Sequence, residues 1–528
     1  MTLFADDEGD DSEEDERAGL LNSPAKAQAT KQLQYGNRPA LGLMSIATIA
    51  YFSVSGGPFG LEMAVAAAGP AAVIAMLVLL TLIWALPCAL MTAELSSALP
   101  SRAGYMHWVD RGLGPGEKAT LCSSLFAPSP ARKRRHAPLC RPSHSVPCAA
   151  AVFGGLNGWV SLLGSAVDSS TYPSIFCDYL VFALNHWAGV PMLGASSRFS
   201  ISAALTLLML GLNLRGITLA ARASIALAVF SIAPFGVMLF LLAFKTPIAA
   251  VVSIRSALNA GVPQPNLPLG LSVLLWSTSG FDAVSLVSSE VVNTARTIPR
   301  AMMISLLMML AATLLPILIC CAAEGASFKW ETFGTGSFSL SAERLGGVAL
   351  GGWVAAAGMS ACAGLLNSFM CTSARGFQAM AAKGMLPAVL REERGAEGTP
   401  VAALVFTCCC IMACLVLPLT ALIELDMSLY TLSLAMELAS FLRLRWSEPH
   451  LHRPYRVPLG RRALLVVYLP SIALCLVNIL VSLRNVAMCL AYFGMLGTGL
   501  LLYHLGPRLF LTTFRDAHSQ SQRYGVHA

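Results

Sequence analysis

Long apolar runs constrain this chain more than any other feature. A helix that crosses a bilayer needs about 20 mostly apolar residues, because lipid offers the backbone no hydrogen-bond partner. Twelve runs approach or exceed that length, near 41–67, 70–96, 152–182, 199–214, 219–244, 267–290, 301–322, 347–373, 400–420, 423–443, 463–484 and 487–506. Composition agrees. Of 528 residues, 56% are hydrophobic and 12% are charged, whereas a soluble domain carries about 25% charged residues. A soluble fold of this composition could not cover its own surface. The expected fold is an all-α polytopic membrane protein with twelve transmembrane helices.

The basic residues orient it. With the N-terminus in the cytoplasm, the outer segments hold Arg198, Lys245, Arg255, Lys329, Arg344 and Arg484; the rest of the 35 Lys and Arg fall inside. Lys and Arg concentrate in cytoplasmic loops, so both termini are expected there. The tail 1–38 is acidic and reads as disordered. It lacks the apolar core of a cleavable signal, so insertion is expected to begin at the first helix. Its Glu16-Arg17-Ala18-Gly19-Leu20-Leu21 resembles a dileucine sorting signal, which leaves the plasma membrane and endosomal or vacuolar membranes as destinations. Residues 39–506 form the expected transporter domain and 507–528 a cytoplasmic C-terminal tail.

The stretch 116–152 is rich in proline and contains Arg132-Lys133-Arg134-Arg135. It reads as a disordered insertion whose charge suits anionic lipid rather than nucleic acid. His136, Cys140, His144 and Cys148 recur every four residues, but Pro138, Pro142 and Pro147 break the helix that would align them as metal ligands. No cofactor or metal is expected. Most of the fifteen cysteines, such as Cys408, Cys409 and Cys410, lie in apolar runs and read as packing residues.

Two helices carry interruptions. The first run contains Ser55-Gly56-Gly57-Pro58-Phe59-Gly60, and the sixth contains Ser277-Thr278-Ser279-Gly280-Phe281-Asp282. Paired interruptions in corresponding positions point to a transporter binding site at membrane depth. Freed amides and carbonyls there are tolerated where they line a cavity or pack within protein. Carboxylates in apolar runs mark the same region, since each costs about 2.5–3.5 kcal/mol at the bilayer centre on insertion scales. Glu62, Asp168, Asp282 and Glu437 are the candidates. No Lys or Arg falls in the central part of a predicted helix, so these acids are expected either to hold protons or to meet an arriving cation. Glu94, Asp178 and Glu290 lie nearer helix ends, where a wet structural role is expected.

These motifs resemble the amino acid–polyamine–organocation superfamily, and within it the polyamine uptake transporters of plants and protozoa. The resemblance spans about 40–505. It rests on Tyr51 to Glu62, on Thr92-Ala93-Glu94-Leu95 with Pro100 and Gly104-Tyr105, and on Asp168 with Tyr172-Pro173 and Asp178-Tyr179-Leu180. Glu290-Val291 with Asn293, Arg296 and Pro299, Lys383-Gly384-Met385-Leu386-Pro387, Gly398-Thr399-Pro400 and Arg453-Pro454-Tyr455-Arg456-Val457-Pro458-Leu459-Gly460 complete it. The segment Ser279-Gly280-Phe281-Asp282 is more similar to general amino-acid members, and the 116–152 stretch splits a link that is short in relatives. The resemblance implies five helices, an inverted five and two more, with alternating access, often driven by protons.

The function expected first is secondary active transport of polyamines. Glu62 and Asp168 would receive ammonium groups, Trp276 and Phe281 would pack on the methylene chain, and Ser55–Pro58 with Ser277–Gly280 would complete the site. Phe59 and Asp282 belong to the same expected site. Glu62, Asp168 and Glu437 are the proton-coupling candidates. An amino acid transporter of the same superfamily is the second reading, and a non-transporting sensor or defective paralogue the third. No phosphate loop, paired helical histidines or nucleophile motif suggests an enzyme.

Overall fold

The computed structural model describes residues 41–114, 149–245, 247–325, 327–395, 397–483 and 489–506. The acidic tail with its Leu pair, the tail 507–528, and the insertion up to residue 148, including His136, Cys140, His144 and Cys148, lie outside the described residues.

The first apolar run forms α1 (Leu43–Phe52) and α2 (Glu62–Ala68), separated by the non-helical stretch 53–61. Then come α3 (Pro70–Ala98), α4 (Gly104–Leu113), α5 (Ala149–Ala188), α6 (Ala195–Leu214), α7 (Ile217–Lys245), α8 (Pro247–Asn259) and α9 (Leu267–Ser277). A 3-10 segment, Phe281–Glu290, follows α9. The remainder comprises α10 (Thr294–Glu324), α11 (Ser337–Gly346), α12 (Val348–Ala382), α13 (Val401–Cys414), α14 (Leu419–Ser447), α15 (Arg461–Ser482) and α16 (Cys489–Gly506). Strands are absent among the described residues, which hold two isolated bridges, Leu41 with Val291 and Arg394 with Thr399.

Nine helices among the described residues are long and apolar enough to cross a membrane, and α1 and α13 are shorter apolar helices. The protein is a multi-pass integral membrane protein. Burial sorts inner from outer spans. The most apolar window of Leu267–Glu290 is 83% buried, against 22% for those of α6 and α15. The outer spans turn Leu208, Phe240 and Leu469 outward, where lipid replaces water. The expected run 152–182 is shorter than α5, a helix of 40 residues that carries Asn157, Ser161, Ser165 and Asp168 at three- and four-residue spacing along one face.

Lipid tails are as apolar as leucine, so helices associate through close packing and internal hydrogen bonds. α12 supplies the close packing. An added Cβ at Gly364 would lie 2.4 Å from the ring of Phe52, and one at Gly358 would lie 3.0 Å from Phe59. α3 supplies an example of the bonds. Pro87 has no N–H for the carbonyl of Ile83. The helix opens into a π turn over Thr81–Ala85, and Ser471 on α15 donates to that carbonyl at 2.6 Å. Tyr468, one turn earlier on α15, donates to Pro87 O at 3.0 Å. The π turn sets Trp84 to donate from Nε1 to Ser279 Oγ at 3.0 Å, beyond the end of α9.

Glu94 corrects the expectation of a wet helix end. It is fully buried and paired with Arg445 of α14 and Arg453 of the following loop, whose Nε lies 3.0 Å from Oε1. The Val457 amide also donates to Oε2, at 2.8 Å. Asp178 and Glu290 are partly exposed and pair with Arg198 and Arg375. α12 and α14 run past the predicted ends at 373 and 443, which takes Arg375 and Arg445 inside helices. Their charges are met there by Glu290 and Glu94, partners too distant in sequence for a local reading. Replacing Ser471 with Ala strands the Ile83 carbonyl, which costs about 1 kcal/mol. A small fall in melting temperature in detergent is the expected outcome.

Candidate functional site

The two interruptions meet. Gly57 and Gly60 take positive φ (112° and 95°), and Pro58 between them lacks an amide hydrogen, so α1 cannot continue into α2. The Ser55 hydroxyl closes on Gly57, donating to its carbonyl at 3.1 Å. In the second interruption Gly280 has φ +109°, and a Cβ there would stand 1.9 Å from the Ser53 carbonyl oxygen. Only glycine allows the two chain breaks to touch.

A cavity of about 40 Å³ opens at this junction. Its carboxylates are Asp168 from α5, Asp282 from the 3-10 segment and Asp426 from α14. Among the described residues, no Lys, Arg or His lines it. Asp168 accepts from Trp276 Nε1 at 2.7 Å and from the Tyr172 hydroxyl at 2.6 Å. Asp282 accepts from the Tyr430 hydroxyl at 2.8 Å, and that hydroxyl in turn accepts from the Gly280 amide at 3.0 Å. Trp276, Tyr172 and Phe369 form one stacked wall, with ring centroids 6.1 and 5.6 Å apart. A cavity with three acids and an aromatic wall suits a cation whose apolar stem lies on the rings. A water needs about 10–15 Å³ of such space, so in this conformation the cavity of about 40 Å³ has room for a few waters and for no larger solute.

Of the residues expected at the site, Asp168, Trp276, Ser279, Gly280 and Asp282 line this cavity. The first interruption reaches it through Ser53 and Val54 rather than through 55–58. Gly56 packs on Leu365 of α12 instead, and Phe59 on Tyr179, Phe235 and Phe338. Phe281 is fully buried outside the lining, and the Ser277 hydroxyl is tied to the Leu274 carbonyl at 3.1 Å. Glu62 is the first residue of α2. Its carboxylate accepts from the Gly60 amide at 2.7 Å and from the Tyr179 hydroxyl. Trp276 stands next to both regions: a Cβ on Gly60 would touch the indole at 3.3 Å, and its Nε1 donates to Asp168. Glu437 lies deeper, bonded to Ser433 and Asn157. Asp426 is a lining acid beyond those expected from the sequence, and it carries the same signal as Glu437, a carboxylate inside the apolar run 423–443.

A larger space of about 1260 Å³ opens between α2, α9, α14 and α15. Its lining is mostly apolar, and its two carboxylates, Glu331 and Glu424, are exposed. The small polar cavity, where buried acids converge on two chain breaks, is the better candidate site.

Residues 146–496 match the family model described as amino acid permease. The chain is also similar to curated plant proteins. It is 28% identical over 461 residues to Polyamine transporter RMV1 of Arabidopsis thaliana, covering 87% of this chain and 84% of that one. It is 29% identical over 469 residues to Polyamine transporter PUT1 of Oryza sativa subsp. japonica, covering 88% and 77%. A further Arabidopsis thaliana protein, Probable polyamine transporter At1g31830, is 29% identical over 455 residues, covering 85% and 80%.

The contact between Gly280 and Ser53 makes one position unusually intolerant. Gly280→Ala forces the chain breaks apart and places an L side chain in a left-handed conformation. The expected result is loss of solute flux in reconstituted vesicles together with a lower melting temperature, while Ser277→Ala, which removes a hydroxyl directed at its own helix, changes flux by less than about twofold and leaves the melting temperature nearly unchanged.

Proposed function

This chain belongs to the amino acid permease family, and from that premise we propose that it carries polyamines such as putrescine and spermidine across a membrane, by alternating access and coupled to protons. One observation carries the substrate class: Asp168, Asp282 and Asp426, from three separate elements, line one cavity with no basic side chain among its described lining residues. A zwitterionic amino acid would bring one positive charge and a carboxylate into that cluster. A di- or triamine brings two or three positive charges and an apolar stem. The names of the plant relatives support the same substrate class.

In this reading Asp168 and Asp282 accept ammonium groups in place of the hydroxyl and indole donors they now hold, and Asp426 supplies the third carboxylate. The stem lies on Trp276, Tyr172 and Phe369. The unwound backbone at Ser53–Val54 and Ser279–Gly280 completes the cavity wall. Glu62 acts on the path to the site and stabilises the start of α2. The proton-coupling candidates remain Glu62, Asp168 and Glu437. The proposed architecture has twelve spans, with α1/α2 and α9 with its 3-10 extension at matching positions of a 5+5 inverted repeat and two helices added. Both termini are cytoplasmic, and the membrane is the plasma membrane or an endosomal or vacuolar one.

The amino acid reading keeps one support, the description of the matching family. Uptake of labelled putrescine and spermidine into proteoliposomes, with amino acids as competitors, separates the two. Saturable polyamine uptake that neutral amino acids do not displace is the expected outcome; amino acid flux without polyamine flux contradicts the polyamine reading. Asp168→Asn is expected to reduce spermidine uptake by about 100-fold or more, in line with an unmatched buried charge pair of 3–5 kcal/mol. Glu62→Gln, outside the cavity, is expected to have the smaller effect.

A further inference from the structure

Two polar stripes face each other from the cavity toward the buried Glu94 end of the bundle. On α5 the stripe is Asp168, Ser165, Ser161 and Asn157; on α14 it is Asp426, Tyr430, Ser433 and Glu437, running the opposite way. The two helices are in contact along these stripes. Gly164 of α5 abuts Asp426 and Leu429, with Asp426 Oδ1 3.6 Å from the position of a Cβ. Ser161, which lines the cavity, is hydrogen-bonded through Oγ to Ser433 Oγ. Ser433 Oγ lies 2.8 Å from Asn157 Oδ1 and 3.1 Å from Glu437 Oε1. Asn157 Nδ2 donates to the same Oε1 at 3.4 Å. The other carboxyl oxygen of Glu437, Oε2, is buried and finds no partner among the described residues.

Among the described residues, no Lys, Arg or His is paired with Glu437, whose hydrogen-bond partners are Ser433 and Asn157. Facing it are Asp282 of the 3-10 segment, Cys88 of α3, Tyr105 of α4 and Cys475 of α15, with Tyr430 on its own helix. Arg445, two turns further along α14, is bound to Glu94. A carboxylate with one oxygen unsatisfied, acids nearby and no paired cation is costly in a dry site. A carboxylic acid there is not, because the proton removes the charge. Glu437 is also absent from the cavity lining, so a bound polyamine does not supply the missing positive charge.

We propose that Glu437 is the coupling-proton site of this transporter, separate from the substrate cavity and connected to it by the hydroxyls of Ser161 and Ser433. The idea rests on the reading of the chain as a proton-coupled polyamine carrier. A proton enters from water in the cavity. Ser161 accepts it and passes its own hydroxyl hydrogen to Ser433, which does the same toward Glu437 Oε1. The carboxylate becomes a neutral carboxyl, and each hydroxyl ends with one hydrogen, as it began. Release runs the same path in reverse when the cavity faces the other side. Asn157 holds the acceptor oxygen in line and is a positioning residue.

The test uses the full chain in proteoliposomes with the membrane potential clamped at zero, and labelled spermidine as probe. Two quantities are read: counterflow exchange of labelled for unlabelled spermidine, and net accumulation driven by an inward proton gradient. One coupled proton supports up to about tenfold accumulation per pH unit. The expected result is that Glu437→Gln retains counterflow but its accumulation ratio falls to about one. Ser433→Ala keeps the carboxyl and cuts the path, so its initial gradient-driven rate falls by at least about tenfold while its final accumulation ratio matches wild type. Accumulation at wild-type level in Glu437→Gln overturns the assignment and leaves polyamine carriage intact. Wild-type counterflow without any response to the gradient overturns it as well. Absence of spermidine counterflow in wild type brings down the polyamine reading beneath it, which distinguishes the two failures.

Discussion

The junction of the two chain breaks is the contact on which the rest of the site depends. Gly280 presses its Cα against the Ser53 carbonyl with φ +109°. That approach brings Ser53 and Val54 to the same cavity as Ser279 and Asp282. It also fixes the amide of Gly280 where Tyr430 accepts from it, and so aims the Tyr430 hydroxyl at Asp282. Trp84, turned by the π bulge over Thr81–Ala85, holds Ser279 from the opposite side. A side chain at 280 would push these contacts apart together, because they all radiate from one point.

Around that point the buried acids are divided by their donors. Asp168 has two strong neutral donors and Asp282 one, from groups that a more attractive cation can replace without leaving the acids bare. Glu62 is held by a main-chain amide at the start of α2 and by Tyr179, which ties it to the helical framework. Glu94 is neutralised by two arginines and has no role that requires an arriving charge. Identical chemistry thus stands in a cavity wall, at a helix start and in a latch, and what separates these places is the identity of the neighbours.

The sequence makes much of this legible. Apolar runs mark the helices because lipid imposes a length. Gly-Pro and Ser-Gly-Phe-Asp segments mark the breaks because no continuous helix tolerates them easily. The intramembrane acids stand out because burial is costly. Asp168, Trp276 and Gly280 could be named before any coordinate. What escaped was partnership across long sequence separations. Arg445 and Arg453 reach Glu94 only once α14 and its following loop fold back over α3. The polar face of α5 acquires meaning only beside that of α14. The placement of Phe281 and Ser277 away from the cavity depends on the rotation of a 3-10 segment and a helix end, which periodicity does not specify.

The latch at Glu94 also restrains motion. Separating its charges in a dry interior costs about 3–5 kcal/mol, a cost added to any motion that splits them. The end of α3, the end of α14 and the loop through Val457 are thereby tied to one another. The buried ion cluster is in this sense a mechanical weld: it joins segments more than 350 residues apart in sequence, at a place outside the lining of the cavity.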